Sequence, residues 1–461
     1  MESLTLVDPC TEQPFAEVPA ATAADVDAAV AAAAEAGATW SRVPVAERAQ
    51  VLRRAADELA RRERELVEAV TMPLGLPRHL VPAVQLASAL GTLRSTADAA
   101  ERMTVEEVVG NSYVRREPAG VVAAIAPWNY PLMQSVNKVA PALAAGCPVL
   151  LKPSELTPLD AFLLAEALAA AGLPEGVLRV LPGTGPEAGR ALAGHPGVDV
   201  VSFTGSTEVG RQVAALAAAS VSRALLELGG KSASILLDDA DVPAAVAHCA
   251  RTVIVNSGQT CTALTRLLVP RSRLSEAEEC AAAALSAARP GHRDDQAADL
   301  GPVISARQRD RVNGHIVAGA AAGAVAVTGG PGAPQGLDRG FYVRPTVFTR
   351  VDPQMAIAQQ EIFGPVLVII PYDGDDDAVR IADGTPYGLS GAVWSGDVER
   401  ALEVARRLRT GQVSVNGGPF NPVAPFGGYK QSGIGREKGL YGIEEFTELK
   451  AIQMPLSEEI S

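Results

Sequence analysis

From Gly120 onward the chain alternates short, continuous apolar runs with longer amphipathic segments. The apolar runs predict strands at 121–126, 149–152, 177–181, 198–204, 224–228 and 233–237, and the segments between them predict helices at 131–145, 158–171, 187–193 and 207–218. Strands that are apolar on both faces are typical of a parallel sheet covered by helices on each side. The pattern therefore predicts an α/β domain with a doubly wound parallel sheet, whose ligands bind beyond the carboxyl ends of the strands.

The same alternation restarts after Gly230 and predicts a second doubly wound α/β domain. Its helices are predicted near 241–255, 274–288, 304–322, 374–382 and 397–409, and its strands near 266–270, 341–349, 365–371, 389–394 and 411–416. The segment before Gly120 predicts extended pieces within 1–20, helices at 24–36, 45–70 and one ending near 103, and a half-exposed strand at 104–117. A strand-like tail follows at 445–453.

Length and charge exclude several classes of protein. With 461 residues the chain is too long for one hydrophobic core, so two or more domains are expected. The formal net charge of −13 argues against a nucleic-acid partner and against an anionic membrane surface, because both repel an acidic protein. No apolar run is long enough to cross a bilayer, and the N-terminus lacks a basic region followed by an apolar core. We therefore expect neither a membrane partner nor a signal peptide.

Cysteine and histidine usage indicates a reducing compartment. The 5 cysteines are widely spaced with no Cys-x-x-Cys pair, and the 5 histidines form no pair four residues apart. This pattern favours free thiols and disfavours a disulfide framework or a zinc site. We expect a cytoplasmic protein without a bound metal.

One cysteine is distinguished by its surroundings. Cys261 lies in the segment Asn-Ser-Gly-Gln-Thr-Cys-Thr-Ala at 256–263, between an apolar helical run that ends at Val255 and an apolar strand-like run that begins at Leu267. A thiol on a short turn between two elements can reach a ligand, whereas one inside an apolar run is packed away. A lone cysteine is more often a small buried hydrophobe, so the argument for a nucleophile depends on the rest of the chain.

Two polar residues end predicted strands of the first domain. Asn129, in Pro-Trp-Asn-Tyr-Pro at 127–131, is a neutral donor suited to a developing oxyanion, or else caps the helix that follows. Glu227, in Glu-Leu-Gly-Gly-Lys at 227–231, ends an apolar strand. A partly desolvated carboxylate there has a raised pKa and acts as a general base, the alternative being a charge turned to solvent.

Two further loops have the chemistry of a nucleotide site. Lys152 and Glu155 follow a predicted strand and either bind ribose hydroxyls or form a surface ion pair. Gly205 and Ser206 precede the helix predicted from Thr207. The free N–H groups of a helix N-terminus are what a pyrophosphate requires.

Eight motifs, in their type, order and spacing, resemble the aldehyde dehydrogenase superfamily in its NAD(P)-dependent, non-phosphorylating form. They lie at 127–131, 152–155, 203–206, 227–231, 258–261, 361–366 (Glu-Ile-Phe-Gly-Pro-Val), 416–418 (Asn-Gly-Gly) and 425–430 (Pro-Phe-Gly-Gly-Tyr-Lys), and they extend over most of the chain. The resemblance implies a dinucleotide-binding domain at 1–103 and 119–229 and a catalytic domain at 230–440. It also implies a small β bridging element at 104–118 and 441–461 that builds a homodimer or homotetramer.

The resemblance gives a role to each matching residue. Cys261 is implied to be the nucleophile and Glu227 the base. Asn129 and the Cys261 backbone N–H are implied to form the oxyanion hole, and Glu437 to relay protons as a second acidic residue. The implied contacts of the cofactor are Pro127, Trp128, Lys152, Ser154, Glu155, Gly205, Ser206, Gly229, Glu361 and Phe363, and the implied lining of the aldehyde tunnel is Trp128, Tyr130 and Phe426.

These roles imply oxidation of a small-molecule aldehyde to the carboxylic acid through a thiohemiacetal and a thioester on Cys261. Glu155 favours NAD over NADP, because a carboxylate pairs with ribose hydroxyls and repels a 2′-phosphate, although Lys152 could accept that phosphate. Three alternatives remain. A coenzyme-A-acylating enzyme has no need of Glu227, a phosphorylating dehydrogenase of the glyceraldehyde-phosphate type needs a histidine to activate its cysteine, and a non-enzymatic protein on the same fold is expected to have lost its catalytic groups.

Overall fold

The computed structural model of the protein describes residues 3–455. Residues 1–2 of the predicted segment 1–103, and residues 456–461 of the predicted segment 441–461, lie outside the described residues. The described chain forms a two-stranded hairpin, a three-stranded sheet and two larger sheets of six and seven strands. Between residues 3 and 455, no helix has both the length and the apolar character needed to cross a bilayer.

A hairpin and four helices form the N-terminal region. They are β1 (Ser3–Asp8), β2 (Gln13–Pro19), α1 (Ala23–Trp40), α2 (Val45–Arg61), α3 (Glu63–Leu74) and α4 (Ala87–Glu101). The prediction of one helix over 45–70 is wrong, because the Arg62 N–H bonds the Leu59 carbonyl and ends the helical ladder. A new helix then starts at Glu63, whose carboxylate in the first turn is favourable to the helix dipole.

The alternating segment at 104–117 is a pair of strands rather than the single strand predicted. β3 (Glu106–Val109) and β4 (Ser112–Pro118) are antiparallel. The chain reverses between them at Gly110, whose φ of 60° is accessible to glycine without strain.

The six-stranded sheet contains the strands predicted between 121 and 228, whereas the strand predicted at 233–237 lies in the seven-stranded sheet. Its parallel strands and their helices are β5 (Val122–Ile125), α5 (Pro131–Ala145), β6 (Val149–Lys152), α6 (Leu159–Ala170), β7 (Leu178–Val180), α7 (Arg190–Ala193), β8 (Val200–Thr204), α8 (Thr207–Ala219) and β9 (Arg223–Glu227). The spatial order of these strands is β9-β8-β5-β6-β7. Successive residues of β5 enter different cores: Val122 packs with α2, α4 and α5, and Ala123 packs with α1 and α8. Both faces are therefore covered, which explains the uniformly apolar strands.

The seven-stranded sheet contains the second alternation. Its elements are β10 (Ala233–Leu236), α9 (Val242–Ile254), β11 (Arg266–Pro270), α10 (Leu274–Ala287), α11 (Ala306–Ala321), β12 (Val325–Thr328), β13 (Thr346–Thr349), α12 (Ala356–Gln359), β14 (Val366–Tyr372), α13 (Asp375–Asp383), β15 (Ser390–Trp394), α14 (Val398–Arg407) and β16 (Gln412–Val415). The spatial order is β12-β13-β14-β11-β10-β15-β16, parallel except for β12 at the edge. β12 was not predicted, and the strand predicted at 341–349 is shorter. The doubly wound parallel architecture is confirmed.

The C-terminal segment returns to the first sheet. It forms β17 (Gly433–Ile434), α15 (Gly439–Glu444) and β18 (Thr447–Gln453). β17 is antiparallel to β9 and pairs Gly433 with Glu227, while β18 pairs with β4 to complete the three-stranded sheet. Residues near 437 are thereby brought to the end of β9. Short 3₁₀ segments lie at Arg78–Leu80, Val255–Gly258, Arg271–Arg273 and Lys430–Ser432, and single π turns at Pro82–Leu86 and Gly185–Gly189.

Candidate active site

A cavity of about 670 Å³ lies where the carboxyl ends of β5, β6, β8 and β9 meet loops of the seven-stranded sheet. Tyr130, Phe426 and Glu437 are not part of its lining. The predicted site residues that line it are Pro127, Trp128, Asn129, Lys152, Ser154, Glu155, Gly205, Ser206, Glu227, Gly229, Cys261, Glu361 and Phe363. Residues predicted from six separate motifs are thus gathered around one space.

The turn that carries Cys261 has an unusual backbone. Asn256, Ser257 and Gly258 have φ angles of 52°, 58° and 73°, all in the left-handed region. A β-carbon on Gly258 would lie 2.2 Å from the carbonyl carbon of Gly364, so only glycine permits this approach. The turn therefore packs Cys261 directly beside the loop that carries Glu361.

A network of amide side chains holds this turn against the loop after β5. The Asn129 Nδ2 donates to the Gln259 carbonyl at 3.0 Å, and the Asn256 Nδ2 donates to the Asn129 carbonyl at 2.8 Å. Gln259 in turn donates to the Asn256 carbonyl at 3.0 Å, and Gln85 donates to the Asn129 carbonyl at 3.1 Å. An amide has two N–H donors, so one donor of Asn129 remains for a ligand.

This network was only partly predictable. Asn129 was predicted, whereas Asn256, Gln259 and Gln85 were not. Asn256 and Gln259 belong to the quoted Cys261 motif, so their polar character was an available signal. Gln85 lies 44 residues before its partner Asn129 and gave no local signal.

The environment of the Cys261 thiol favours its protonated form. It is half-buried, and burial raises its pKa to about 12, with smaller contributions from the charges of Glu361, Glu227 and Glu437. Beside it, the Tyr130 hydroxyl lies 2.7 Å from Thr260 Oγ1, which places the predicted tunnel residue next to the cysteine turn.

Glu227 is buried, which excludes a charge turned to solvent. It is 6% exposed, and its Oε2 has no hydrogen-bond partner among residues 3–455. Burial raises the pKa of Glu227 well above its ordinary value, and the charge of Glu437 raises it further, against the opposing charge of Lys138. A carboxylate with a raised pKa and an unused oxygen is suited to accept a proton.

Glu437 lies behind Glu227 rather than in the cavity lining. Its Oε1 accepts from Lys138 Nζ at 2.8 Å, and its Oε2 accepts from Asn137 Nδ2 at 3.2 Å. Lys138 also donates to Thr204 Oγ1 at 2.6 Å. Asn137 and Lys138 were not predicted, because they are about 300 residues from Glu437 along the chain.

One end of the cavity has the groups that a nucleotide needs. Lys152 is 2% exposed and donates to Glu155 Oε2 at 3.3 Å and to the Pro153 carbonyl at 3.0 Å, while the Glu155 side chain is 40% exposed, so the ion pair is half-buried. Burial lowers the pKa of Lys152. Ser206 caps α8 by accepting from the Val209 N–H at 3.3 Å, and the N-terminus of α8 borders the cavity. Ser154 accepts from the Leu156 N–H at 3.2 Å, which fixes this loop.

Glu361 and Phe363 form the wall opposite Trp128. The Glu361 Oε1 accepts from the Gly230 N–H at 3.1 Å, and burial raises the pKa of Glu361. The rings of Phe363 and Trp128 meet edge to face at 5.3 Å. The loop is held by two residues that were not predicted. Gln308 donates to the Phe363 carbonyl at 2.7 Å, and Arg311 donates to the Glu361 carbonyl at 2.7 Å.

Phe426 lies on the loop that precedes β17. It is 8% exposed, its ring is 6.2 Å from that of Phe420, and its N–H donates to the Glu437 carbonyl at 2.8 Å. Across the described ranges, no three His, Cys, Asp or Glu side chains are grouped so as to hold a metal ion.

The donor set of the cavity fits a dinucleotide. A volume of about 670 Å³ is in the usual range for a cofactor site. A helix N-terminus is suited to phosphate, the pair of Lys152 and Glu155 to ribose hydroxyls, and Glu361 to a second ribose. Cys261 and Glu227 line the same space, so a bound dinucleotide would lie beside a thiol and a buried carboxyl group.

Comparison with known proteins identifies the family. The family model described as "Aldehyde dehydrogenase family" matches residues 1–452. A 3-succinoylsemialdehyde-pyridine dehydrogenase from Pseudomonas sp is 46% identical over 451 residues, which are 97% of this chain and 94% of that protein. A geranial dehydrogenase from Castellaniella defragrans is 43% identical over 456 residues, which are 97% of this chain and 95% of that protein.

Solved structures agree with the sequence comparison. A mutant of aldehyde dehydrogenase C from Pseudomonas syringae, in complex with NAD+ and octanal, superimposes with a TM-score of 0.98 at 47% identity, covering 99% of this chain and 94% of that one. An aldehyde dehydrogenase from Mycobacterium tuberculosis in complex with NAD+ gives a TM-score of 0.97 at 45% identity, covering 100% and 96%. The chain therefore belongs to the aldehyde dehydrogenase family.

Proposed function

We propose that this protein oxidises an aldehyde to the carboxylic acid with NAD as the hydride acceptor. The observation that carries the proposal is that Cys261, Asn129 and Glu227 border one cavity whose donors fit a dinucleotide. Cys261 supplies the nucleophile, the free N–H of Asn129 and the Cys261 backbone N–H bind the oxyanion, and Glu227 is the base. Family membership supports the same reaction.

The first half of the reaction forms a thioester. The Cys261 thiol gives up its proton to water, its sulfur bonds to the aldehyde carbon, and the carbonyl oxygen becomes an oxyanion held by Asn129. NAD would be held by residues that line the cavity: Lys152, Glu155, Ser154, Gly205, Ser206, Pro127, Trp128, Gly229, Glu361 and Phe363. When bound, its nicotinamide supplies a hydride acceptor beside the Cys261 adduct. The acyl group then remains on sulfur.

The second half hydrolyses the thioester. Glu227 takes a proton from water, the hydroxide attacks the thioester carbon, and the carboxylic acid leaves as the Cys261 sulfur is released. Glu437, held by Lys138, lies next to Glu227 and relays that proton away. The cavity gives Glu227 the raised pKa that this step requires.

The test is NADH formation, measured by absorbance with purified protein, NAD and a panel of aldehydes. The named substrates of relatives indicate where the panel starts: geranial, a succinoyl-pyridine semialdehyde and octanal. Sustained turnover without coenzyme A supports the proposal. A single burst that becomes turnover only with coenzyme A would identify the acylating alternative instead, and absence of NADH despite NAD binding would support a non-enzymatic role.

We expect NAD to be preferred over NADP by about tenfold or more in kcat/KM, which corresponds to about 1.4 kcal/mol. The reason is Glu155, which lines the nucleotide end of the cavity and engages Lys152, so a 2′-phosphate would meet a carboxylate. Steady-state kinetics with both cofactors measure the ratio. Glu155→Gln is the matched variant and should reduce the preference, while a wild-type preference for NADP would contradict the assignment.

We also propose that the three-stranded sheet joins subunits into a homodimer or homotetramer. Its strands expose apolar side chains, with Val108 69% and Leu449 64% exposed. A monomer rarely leaves such residues together on one sheet. Light scattering after size exclusion should therefore give two or four times the mass of one chain, and Leu449→Asp should lower it. A monomeric wild-type protein would contradict this proposal.

Two further assignments remain proposals. The dinucleotide-binding domain comprises residues 1–103 and 119–229, the catalytic domain comprises residues 230–440, and the bridging element comprises residues 104–118 and 441–461. The free thiols of all the cysteines, Cys10, Cys147, Cys249, Cys261 and Cys280, support a cytoplasmic location. We likewise propose no nucleic-acid and no membrane partner, because the net charge of −13 would repel both surfaces.

A further inference from the structure

Lys438 is a buried lysine in a strained backbone conformation. It immediately follows Glu437, is 6% exposed, and has φ 69° and ψ 155°. That region of φ and ψ is almost confined to glycine, so a side chain here costs free energy. A lysine kept in this conformation without solvent contact calls for a specific reason.

The ammonium of Lys438 is held between α4 and α5. Its Nζ donates to Thr92 Oγ1 at 3.1 Å and to Asn137 Oδ1 at 3.1 Å, and it lies 5.5 Å from the centre of the Phe420 ring. Both acceptors are neutral. Burial lowers the pKa of Lys438, while the nearby charge of Glu437 opposes that shift.

These contacts determine which way the Asn137 amide faces. A lysine ammonium only donates, so the oxygen of Asn137 must face Lys438 and its NH2 group must face away. The Thr92 hydroxyl, 3.5 Å from the same oxygen, agrees with this orientation. The NH2 group consequently donates to Glu437 Oε2 at 3.2 Å, while Lys138 occupies Oε1 at 2.8 Å.

We propose that Lys438 is a positioning residue for Glu437, and that it acts through Asn137 to keep this carboxylate hydrogen-bonded at both oxygens. The inference rests on the proposed function, in which Glu437 receives the proton that Glu227 takes from water. It adds to that function a residue that touches neither the cavity nor Glu227. Asn137 is the link, because its amide joins the ammonium to the carboxylate.

The consequence is a dependence of hydrolysis on pH. The charge of Glu437 raises the pKa of Glu227, and the other charged groups that face the two carboxylates are Lys138 on α5, Arg436 and Lys438 beside Glu437, and Glu445 after α15. Removing one cation from beside Glu437 leaves the negative charge next to Glu227 less compensated, which raises the pKa of Glu227 further. Glu227 acts as a carboxylate, so hydrolysis would then need a higher pH.

Lys438→Met tests this with a side chain of similar length. We expect the acidic limb of the kcat–pH profile to move up by about one pH unit. The NADH burst should keep its amplitude, because it precedes hydrolysis. Lys438→Arg, which restores a cation and a donor, should return the limb toward the wild-type position. Asn137→Leu, which breaks the link and keeps Lys438, should shift the limb in the same direction and is a second route if Lys438→Met does not fold.

Two results would overturn the inference. One is a folded Lys438→Met enzyme whose acidic limb is unchanged, and the other is an equal loss of kcat at every pH, as expected if Lys438 only supports the fold. Failure of the proposed function is distinguishable, because the wild-type enzyme would then show no sustained NADH formation without coenzyme A at any pH.

Discussion

Replacing Cys261 with alanine is expected to lower kcat/KM for aldehyde oxidation by at least about a thousandfold. Without the sulfur no thiohemiacetal forms, and the oxyanion hole has no tetrahedral adduct to stabilise. Among the described residues that line the cavity, Cys261 is the one cysteine, so no second thiol is placed to replace it. NADH formation at saturating NAD measures the loss.

The controls separate chemistry from binding and folding. Cys280→Ala removes another half-buried thiol, on α10 and outside the cavity, and should leave turnover near the wild-type value. Cys261→Ala should still bind NAD, which quenching of tryptophan fluorescence can detect because Trp128 lines the cavity. Retention of a tenth or more of the activity by Cys261→Ala would rule out the nucleophile assignment.

The fold was predictable where burial is uniform along an element. β5, β6 and β8 lie inside the predicted apolar runs, because both faces of those strands are covered and every position is apolar. Errors arose where the local pattern carries little information. β12 is a half-exposed edge strand of four residues, and the apolar stripe of α2 continues into α3 although the backbone ladder breaks at Arg62.

The site was predictable only in part for a related reason. Asn129 and Glu227 follow or end parallel strands of the six-stranded sheet, so their positions on the chain already direct them to one edge of that sheet, and Cys261 lies in a turn between α9 and β11. Lys138 and Asn137 lie in the middle of α5, where the sequence gives no sign of a partner. What makes them part of the site is β17, two residues long, which brings Glu437 from 299 positions away to the end of β9.

Replacing Glu227 with glutamine is expected to separate the two halves of the reaction. The amide has the same shape but cannot accept a proton from water, so steady-state turnover should fall by about 10² to 10⁴-fold. The thioester should still form. The charge of Glu227 raises the pKa of Cys261, so its removal makes the thiolate easier to generate. A burst of about one NADH per subunit, followed by a slow phase, is the expected record in a stopped-flow experiment.

An added nucleophile gives this prediction a second and independent readout. Hydroxylamine attacks a thioester without a general base, so it should restore turnover to the Glu227→Gln variant and have little effect on the wild type. Glu448→Gln is a matched control, because Glu448 is an exposed carboxylate that pairs with Arg223. Arg223 begins β9, the strand that ends at Glu227. Unchanged steady-state turnover would rule out Glu227 as the base. A missing burst would instead assign Glu227 to the first half of the reaction. The NADH burst and the steady-state rate together therefore assign the role of Glu227 from measurements on this protein alone.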